Sequence, residues 1–488
     1  LTPLLVAIGL EQAAQAPGPT SIRPRGRRFF FLGWITGFVG SAITTYWVVT
    51  VMAKYGGFAP WVAVPIGALL WAYLGLFTGA GALVTGWTVR RRGVIGLWAA
   101  PAAWVTFEWL RSWLFGGFPW TLLGTSQAHV LPVVQFASVA GVFGLSGLLV
   151  MVSTAAAAVA LSRHGRHLRM AAVTMGVLAV VVAGGMFRLA DGRLTQSGTP
   201  LRVGIVQGSV PEDLKFDPAY RDGIIARYLA LSRQVIGSGA RLVIWPESST
   251  PFFFNLESQL ALPIRKLAVE TRTPFIIGTD DLVPPVGHEP QHLYNSSIVL
   301  GPDGQSHAEY RKVYLAPFGE YVPFQKLLFF VGPLVDAVSN FTPGTEATVL
   351  PTSVGTVSTS ICYESVYPWL SRAFVAHGSQ LLAIITNDAW FGTSSAASQH
   401  FDQGSVRAVE EGRYVVRAAN TGISGIVDPY GRVLAETALF VPTAFVADVR
   451  LLDGHTVYEM TGDWVAWIGA AISAVLIFWG WRHGNRQS

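Results

Sequence analysis

Along the first 190 residues, apolar positions come in long runs at roughly 29–51, 61–88, 94–114, 130–161 and 170–188, and a further run lies near the end at 464–481. Each is near or above the ~20 residues that a helix needs to cross the hydrocarbon of a bilayer, and each therefore predicts a span. The run at 130–161 contains Gln135 and several glycines, which predicts that part of it lies outside the hydrocarbon. The opening stretch LTPLLVAIGL does not start with Met and is too short to span, so the chain is expected to begin inside a truncated span.

From residue 201 the pattern shortens. LRVGIVQG reads as a strand, RYLALSRQVIGSG as a helix ending in glycine, and RLVIWPES as a strand running into a loop. IRKLAVETRT reads as a helix before the strand PFIIGT, and GTVSTSICYES, QLLAIITND, GISGIVDPYGRVL and TAFVADVR continue the alternation. This predicts an α/β domain with polar residues at strand ends, where such folds place their sites. The expected division is a transmembrane domain over 1–199, an α/β domain over 200–455, and a last span with a short tail over 456–488.

Composition agrees with this division: 51% of residues are hydrophobic and 13% charged, and mean hydropathy is +0.43, too apolar for an ordinary soluble enzyme. The net charge of +5 invites a nucleic-acid partner, but its distribution excludes one. Residues 1–199 carry an excess of +11 and residues 200–455 an excess of −6. The basic residues form short clusters between apolar runs: RPRGRR (23–28), RRR (90–92), RHGRHLR (163–169) and RHGNR (482–486). Threading the spans in order puts all four clusters on one side, the cytoplasmic one, and residues 200–455 on the other. Trp61, Trp113, Trp120 and Trp464 fall near span ends, where interfacial or packing roles both suit them.

Cys362, in SICYESVYP, is the one cysteine of the chain. It has no internal disulfide partner, so it is either a small core residue or a reactive thiol. Glu247 closes VIWPES and Lys312 lies in YRKVYLAPFGEYVP. Singly, Glu247 reads equally as a loop-capping carboxylate and Lys312 as a solvated charge. Together with a thiol they make a chemical set: a carboxylate to take the proton, and an ammonium to hold the thiolate and an oxyanion.

WPES, PFGEYVP, ICYES and NDAWFG, in this order, resemble the nitrilase superfamily, and FEWLRSWLFGGFPWTLLGTSQ (107–127) ahead of them resembles the apolipoprotein N-acyltransferase family. The resemblance covers nearly the whole chain. It implies a multi-span α-helical membrane domain joined to an extracytoplasmic α-β-β-α sandwich, in a bacterial cytoplasmic membrane. It also implies Glu247 as general base, Lys312 as transition-state stabiliser, Cys362 as nucleophile, and Glu320 and Glu364 as supporting carboxylates. Glu320 is expected to orient Lys312, Glu364 to shape the field around the thiol, and the N–H of Tyr363 to serve as an oxyanion donor. Asn387 and Trp390 match the NDAWFG segment and read as substrate contacts or as a turn and a packed ring. Phe216 stands where many members of the family have tryptophan. The implied partners are a phospholipid acyl donor, a diacylglyceryl-modified apolipoprotein acceptor and membrane lipid, with no cofactor and no nucleic acid. The rival reading is a membrane-bound amidase or nitrilase-type hydrolase using the same three residues.

Four further stretches invite readings of their own. HEPQH (288–292) has the letters of a zinc-protease helix, but Pro290 opposes a helix there. NSS (295–297) and NFT (340–342) fit glycosylation sequons that arise often by chance. FQKLLFFVGPLVDAVSNFTPG (324–344), with Phe329 and Phe330, reads either as core or as a lid meeting lipid.

Overall fold

The computed structural model describes residues 1–13, 26–162, 164–285, 291–317, 319–321 and 341–484. Phe329 and Phe330, with most of the 324–344 segment, lie outside these, as do His288 and Asn340. The chain divides into two compact units. The first comprises residues 1–53, 58–191 and 460–488, and the second residues 54–57 and 192–459.

The first unit is helical: α1 (Thr2–Ala13), α2 (Gly26–Thr44), α3 (Trp47–Lys54), α4 (Pro60–Arg92), α5 (Ala100–Arg111), α6 (Leu131–Val134), α7 (Ala137–Leu161), α8 (Gly165–Asp191) and a C-terminal helix, Trp464–Gly484. Among the described residues three helical stretches, Pro60–Arg111, Ala137–Leu161 and Gly165–Thr195, are long and apolar enough to cross a membrane, and α2 with α3, bent by 54°, makes a fourth if the pair is one span. Pro60–Arg111 is far longer than one crossing needs. It breaks at Gly93, whose φ of +67° only glycine adopts without strain, and α5 packs back on α4, with Gly81 lying against Phe107 and Ala103. The 130–161 run is also interrupted: Gln135 follows α6, with its Nε2 donating to the Leu131 carbonyl at 2.9 Å, and α7 kinks at Gly141 (φ +64°). Glycines set the α2–α4 approach. A methyl group at Gly33 would strike Ala82 and come within 2.6 Å of the Thr78 carbonyl, the close contact that small residues allow between apolar helices.

Within this unit the described members of the basic clusters lie toward one end. Gly26 lies against Trp87, three residues before Arg90. Arg91 donates to the Trp479 carbonyl at 3.1 Å, and the guanidiniums of Arg91 and Arg92 cover the Trp479 ring at 5.1 and 4.9 Å. Arg28 pairs with Glu11 of α1 at 2.7 Å, and Gly9 of α1 packs on Leu161, next to the third cluster. Glu108 of α5 accepts the Leu123 N–H at 2.7 Å, and Ser146 of α7 accepts that of Gly124 at 2.8 Å. The FEWLRSWLFGGFPWTLLGTSQ stretch is thus a helix whose return loop is tied back to its own carboxylate and to α7.

The second unit contains two six-stranded sheets. Its strands are β1 (Thr199–Gln207), β2 (Leu242–Ile244), β3 (Phe275–Val283), β4 (His292–Leu300), β5 (Ser306–Arg311), β6 (Leu350–Thr352), β7 (Gly355–Ile361), β8 (Leu381–Thr386), β9 (Val415–Ala419), β10 (Gly425–Val427), β11 (Val433–Glu436) and β12 (Thr443–Leu451). One sheet runs β12-β1-β2-β3-β4-β5 and the other β11-β10-β9-β8-β7-β6. In each, three central strands are parallel and the outer pairings antiparallel. The inner faces meet through Ser297 of β4 and Thr359 of β7, whose hydroxyls are hydrogen-bonded. Helices α10 (Arg221–Gly237) and α11 (Ser258–Thr271) cover the first sheet, and α12 (Pro368–Ala376) and α13 (Ala396–Glu411) the second. The result is an α-β-β-α sandwich. Its larger outer core packs Tyr228, Trp245, Phe252, Phe254 and Phe275 between the first sheet and its helices, with the buried Trp245 indole donating to Ser232 at 2.9 Å. Parallel strands buried on both faces explain why these segments read as continuous apolar runs.

Candidate active site

Glu247, Lys312 and Cys362 each sit just past the C-terminal end of a strand, respectively β2, β5 and β7. Since β5 lies two antiparallel steps from β3, it runs in the direction of β2 and β3, and its end opens on the same side of the sheet. The first sheet therefore supplies Glu247 and Lys312, and the second supplies Cys362.

The Lys312 side chain is buried. Its Nζ donates to Glu320 Oε1 at 2.9 Å and lies 2.8 Å from Oε2, while Glu247 Oε1 is 3.3 Å away. Burial alone would strip an ammonium of its proton, but the carboxylates of Glu320 and Glu247 overcome it and hold the pKa above its ordinary value. Asn295, on β4, bridges the two acids: its Nδ2 donates to Glu247 Oε1 and to Glu320 Oε1, both at 2.7 Å. Glu320 Oε2 takes the Ala316 N–H and Glu247 Oε2 the Asn387 N–H, each at 2.7 Å. The NSS sequon is thus a buried structural element, and Asn295, only 3% exposed, is turned inward.

Cys362 opens a 3-10 turn (Cys362–Val366) with φ +51°, a left-handed conformation that costs a non-glycine residue on the order of 1–3 kcal/mol and recurs at active sites. Burial, then the Glu247 carboxylate, push its thiol above the ordinary value, with the Lys312 charge opposing them. The resting group is a neutral thiol, electrostatically coupled to both partners. Glu364 secures the turn to the lysine loop. Its Oε1 accepts from the Tyr310 hydroxyl at 2.6 Å and from the N–H groups of Val313 and Tyr314 at 2.7 and 3.1 Å, and its Oε2 from that of Ile361 at 2.8 Å. Burial pushes its carboxyl up to about 7 against these donors. Tyr363 is buried with its ring edge on Tyr367, 5.4 Å between centroids.

The other predicted residues lie further out or act differently. Asn387 contributes its backbone N–H, while its side chain donates to Glu212 at 2.5 Å and accepts from Asn420 at 3.0 Å. Phe216 is 52% exposed at the end of the short helix α9 (Glu212–Lys215), and Trp390 is 38% exposed with its ring against Tyr55 at 4.9 Å.

Asn295, Asp280, Asp388, His400 and Arg417 belong to the site and carry no signal in linear motifs beyond the Asp of NDAWFG. Cys362 Sγ, an Asp388 oxygen and a His400 nitrogen lie within 4.8 Å of one another, a spacing that could hold a metal ion. These donors are already engaged, however. The Arg417 guanidinium is 2.7 Å from Asp388, and His400 Nε2 faces the Cys362 carbonyl at 2.9 Å, so a cation would have to displace one charge and break the turn. In HEPQH, His292 is on strand β4 and pairs with Thr342 at 3.1 Å.

Asp280, opposite Asn295 in the β3–β4 register, accepts the Ser248 hydroxyl at 2.7 Å. Burial pushes its carboxyl up to about 6; Ser248 and Lys215 oppose the shift, and Glu247 and Glu320 reinforce it. A carboxyl raised in the folded state gives stability that is full below about pH 4 and lost as pH rises through about 6. Asp280→Asn keeps an acceptor for Ser248 and removes that loss. The variant is expected to melt a few degrees above the wild type at pH 8, with the gap narrowed at pH 5 and closed only below about pH 4. Equal gaps at both pH values in detergent melting curves would contradict an ionisation cost at this position.

A carboxylate, an ammonium and a thiol meeting at strand ends of an α-β-β-α sandwich define the nitrilase-like class, and residues 202–455 match the carbon-nitrogen hydrolase family. An amidase of the nitrilase superfamily from Nesterenkonia AN1 aligns at 20% identity over 53% of this chain and 93% of its own, with a TM-score of 0.40. Residues 13–155 match the apolipoprotein N-acyltransferase N-terminal domain. The apolipoprotein N-acyltransferase of Geobacter metallireducens is 37% identical over 465 residues, covering 93% of this chain and 87% of its own. That of Methylococcus capsulatus is 35% identical over 467 residues, covering 93% and 88%. The chain belongs to the apolipoprotein N-acyltransferase family.

Proposed function

We propose that this acyltransferase moves a fatty acyl chain from a phospholipid to the N-terminal amine of a diacylglyceryl-modified lipoprotein, through a thioester on Cys362. The observation that carries the reading is the meeting of Glu247 and Lys312 from one sheet with Cys362 from the other. Because the resting thiol is neutral, it gives up its proton only when an ester is in reach, and Glu247 takes it. The sulfur attacks the ester carbonyl, and the electron pair displaced onto oxygen is held by the Lys312 ammonium and the Tyr363 N–H. The C–O bond then breaks, and the departing lysophospholipid oxygen recovers the proton from Glu247. In the second half the amine attacks the thioester, Glu247 takes its proton, and the C–S bond breaks to return the thiol. Glu320 and Asn295 hold Lys312 and Glu247 in register throughout.

The location that suits this chemistry is the outer face of a bacterial cytoplasmic membrane. The placing of the described basic residues toward one end of the helical unit supports a cytoplasmic position for that end, with residues 200–455 outside. Helices that hold the enzyme in lipid suit a reaction whose donor and acceptor are both lipids.

The test is the mass of the intact protein. With phospholipid and no amine, one acyl group is expected to accumulate on Cys362 and to persist. A diacylated lipopeptide with a free N-terminus then discharges it, and the N-acetylated lipopeptide does not. Rapid loss to water, indifferent to the lipopeptide, would leave the hydrolase reading instead.

A further inference from the structure

Behind the nucleophile lies a buried chain of polar groups that the reaction just described does not use. Arg417 Nη2 donates to Asp388 Oδ2 at 2.7 Å and lies 2.9 Å from His400 Nδ1, which is also 3.0 Å from Asp388 Oδ1. His400 Nε2 is 2.9 Å from the Cys362 carbonyl oxygen and 2.9 Å from Ser365 Oγ, which itself donates to that carbonyl at 3.0 Å. His400 and Asp388 are each 1% exposed or less, and Arg417 is 1% exposed. A carbonyl oxygen can only accept, so the Nε2 that faces the Cys362 oxygen carries a hydrogen. Burial, then the Arg417 charge, hold the imidazole below its ordinary value, with the Asp388 carboxylate opposing them. Its Nε2–H therefore points at the Cys362 carbonyl.

That carbonyl shares its peptide group with the Tyr363 N–H. A trans peptide is planar, and its C=O and N–H point in opposite directions. Whatever fixes one fixes the other, and a hydrogen bond to the oxygen also polarises the N–H as a donor. We propose that His400, oriented by Arg417 and Asp388, is the positioning residue that aims the Tyr363 N–H at the developing oxyanion. The second donor on the same carbonyl, Ser365, assists. The inference rests on the reading of Tyr363 as an oxyanion donor. It gives a role to a histidine, an aspartate and an arginine that do not themselves meet the substrate.

Two reactions of Cys362 separate this role from general support of the thiol. Acylation by 4-nitrophenyl hexanoate passes through a tetrahedral oxyanion: sulfur bonds to the carbonyl carbon, the intermediate collapses, 4-nitrophenolate leaves, and Glu247 keeps the thiol proton. Alkylation by iodoacetamide is a displacement at a saturated carbon that forms no oxyanion. His400→Leu is expected to slow the 4-nitrophenolate burst about 10²-fold, with alkylation changed less than about threefold. His400→Gln, whose amide can present an N–H near the place of Nε2, is expected to recover at least about tenfold of that burst rate. Ser365→Ala is expected to show a smaller loss confined to the burst, and it decides the matter if His400→Leu does not fold. Burst and alkylation falling together, or neither falling, in whichever of these variants is folded overturns the proposal. The ester burst does not depend on whether the later acceptor is an amine or water. A wild type that bursts normally but ignores the lipopeptide counts against the N-acyltransferase reading alone.

Discussion

Lys312→Met is expected to lower the single-turnover rate of Cys362 acylation by phospholipid at least ~10³-fold, more than the loss of one oxyanion donor would explain. The reason is the company the ammonium keeps. Its Nζ lies 3.3 Å from Glu247 and 2.8–2.9 Å from Glu320. Without it, two buried carboxylates face each other across Asn295, and a buried ion pair that loses one partner leaves an uncompensated charge. The cheapest relief is for one carboxylate to take up a proton, and if that is Glu247 the general base is gone as well. Glu247→Gln tests the base alone, for which a loss of ~10²–10⁴ is typical. Lys312→Arg is not expected to rescue, because a planar guanidinium cannot occupy the pocket of a compact ammonium. Intact-mass measurement of the acyl-enzyme against time reads all three variants. An acylation rate for Lys312→Met within tenfold of the wild type would remove the ammonium from the reaction.

Asn295→Asp is expected to be nearly as damaging, although it changes no atom count in the side-chain skeleton. The Asn295 Nδ2 is the donor that both Glu247 and Glu320 share at 2.7 Å. Replacing it with an oxygen puts a third carboxylate against two others with only Lys312 to neutralise them. Like charges at this spacing force at least one group to protonate, so acylation at pH 7.5 should fall by ~10²-fold or more. The fold should survive, since the site can shed the repulsion by binding a proton. Wild-type acylation by a folded Asn295→Asp protein would show that the bridge is incidental.

These two residues illustrate what a linear reading can and cannot reach. Lys312 was legible because the PFGEYVP segment beside it carries the family resemblance, and because its ammonium completes a chemical set with Glu247 and Cys362. The six long apolar runs all appear as helices, and β1, β3, β8 and β12 fall where the short runs place them. Asn295 was not legible. It lies within a β-strand, and its letters spell a surface modification site, yet the register turns it inward. His400 and Arg417 are 12 and 29 residues from Asp388, on a helix and on a neighbouring strand. No spacing rule joins them, because only the packing of α13 behind β7, β8 and β9 makes them neighbours. Glu364 was named with the family resemblance, but not its four donors, which come from Tyr310 of β5, Val313 and Tyr314 of the lysine loop and Ile361 of β7. Strands β4, β5 and β9 were also not singled out. β9 follows α13 after a break of only three residues, and its VVRAA holds an arginine that looks like a surface position but is buried.

The division of the site between two sheets has a consequence for a newly made chain. Thr199 at the start of β1 pairs with Leu451 at the end of β12, so the first sheet is not closed until nearly the whole second unit has been synthesised. Contacts of such long sequence separation form late. Glu247, Asn295 and Lys312 can gather on their own sheet before then, but Cys362 belongs to the other. Until the sheets meet, the cysteine lacks the Glu247 carboxylate and the Lys312 ammonium that the proposed reaction assigns to it as base and cation. With no second cysteine in the chain, it also has no internal partner for a wrong crosslink. On the proposed mechanism an unfinished molecule is therefore a harmless one, because reactivity toward esters appears only with the completed sandwich.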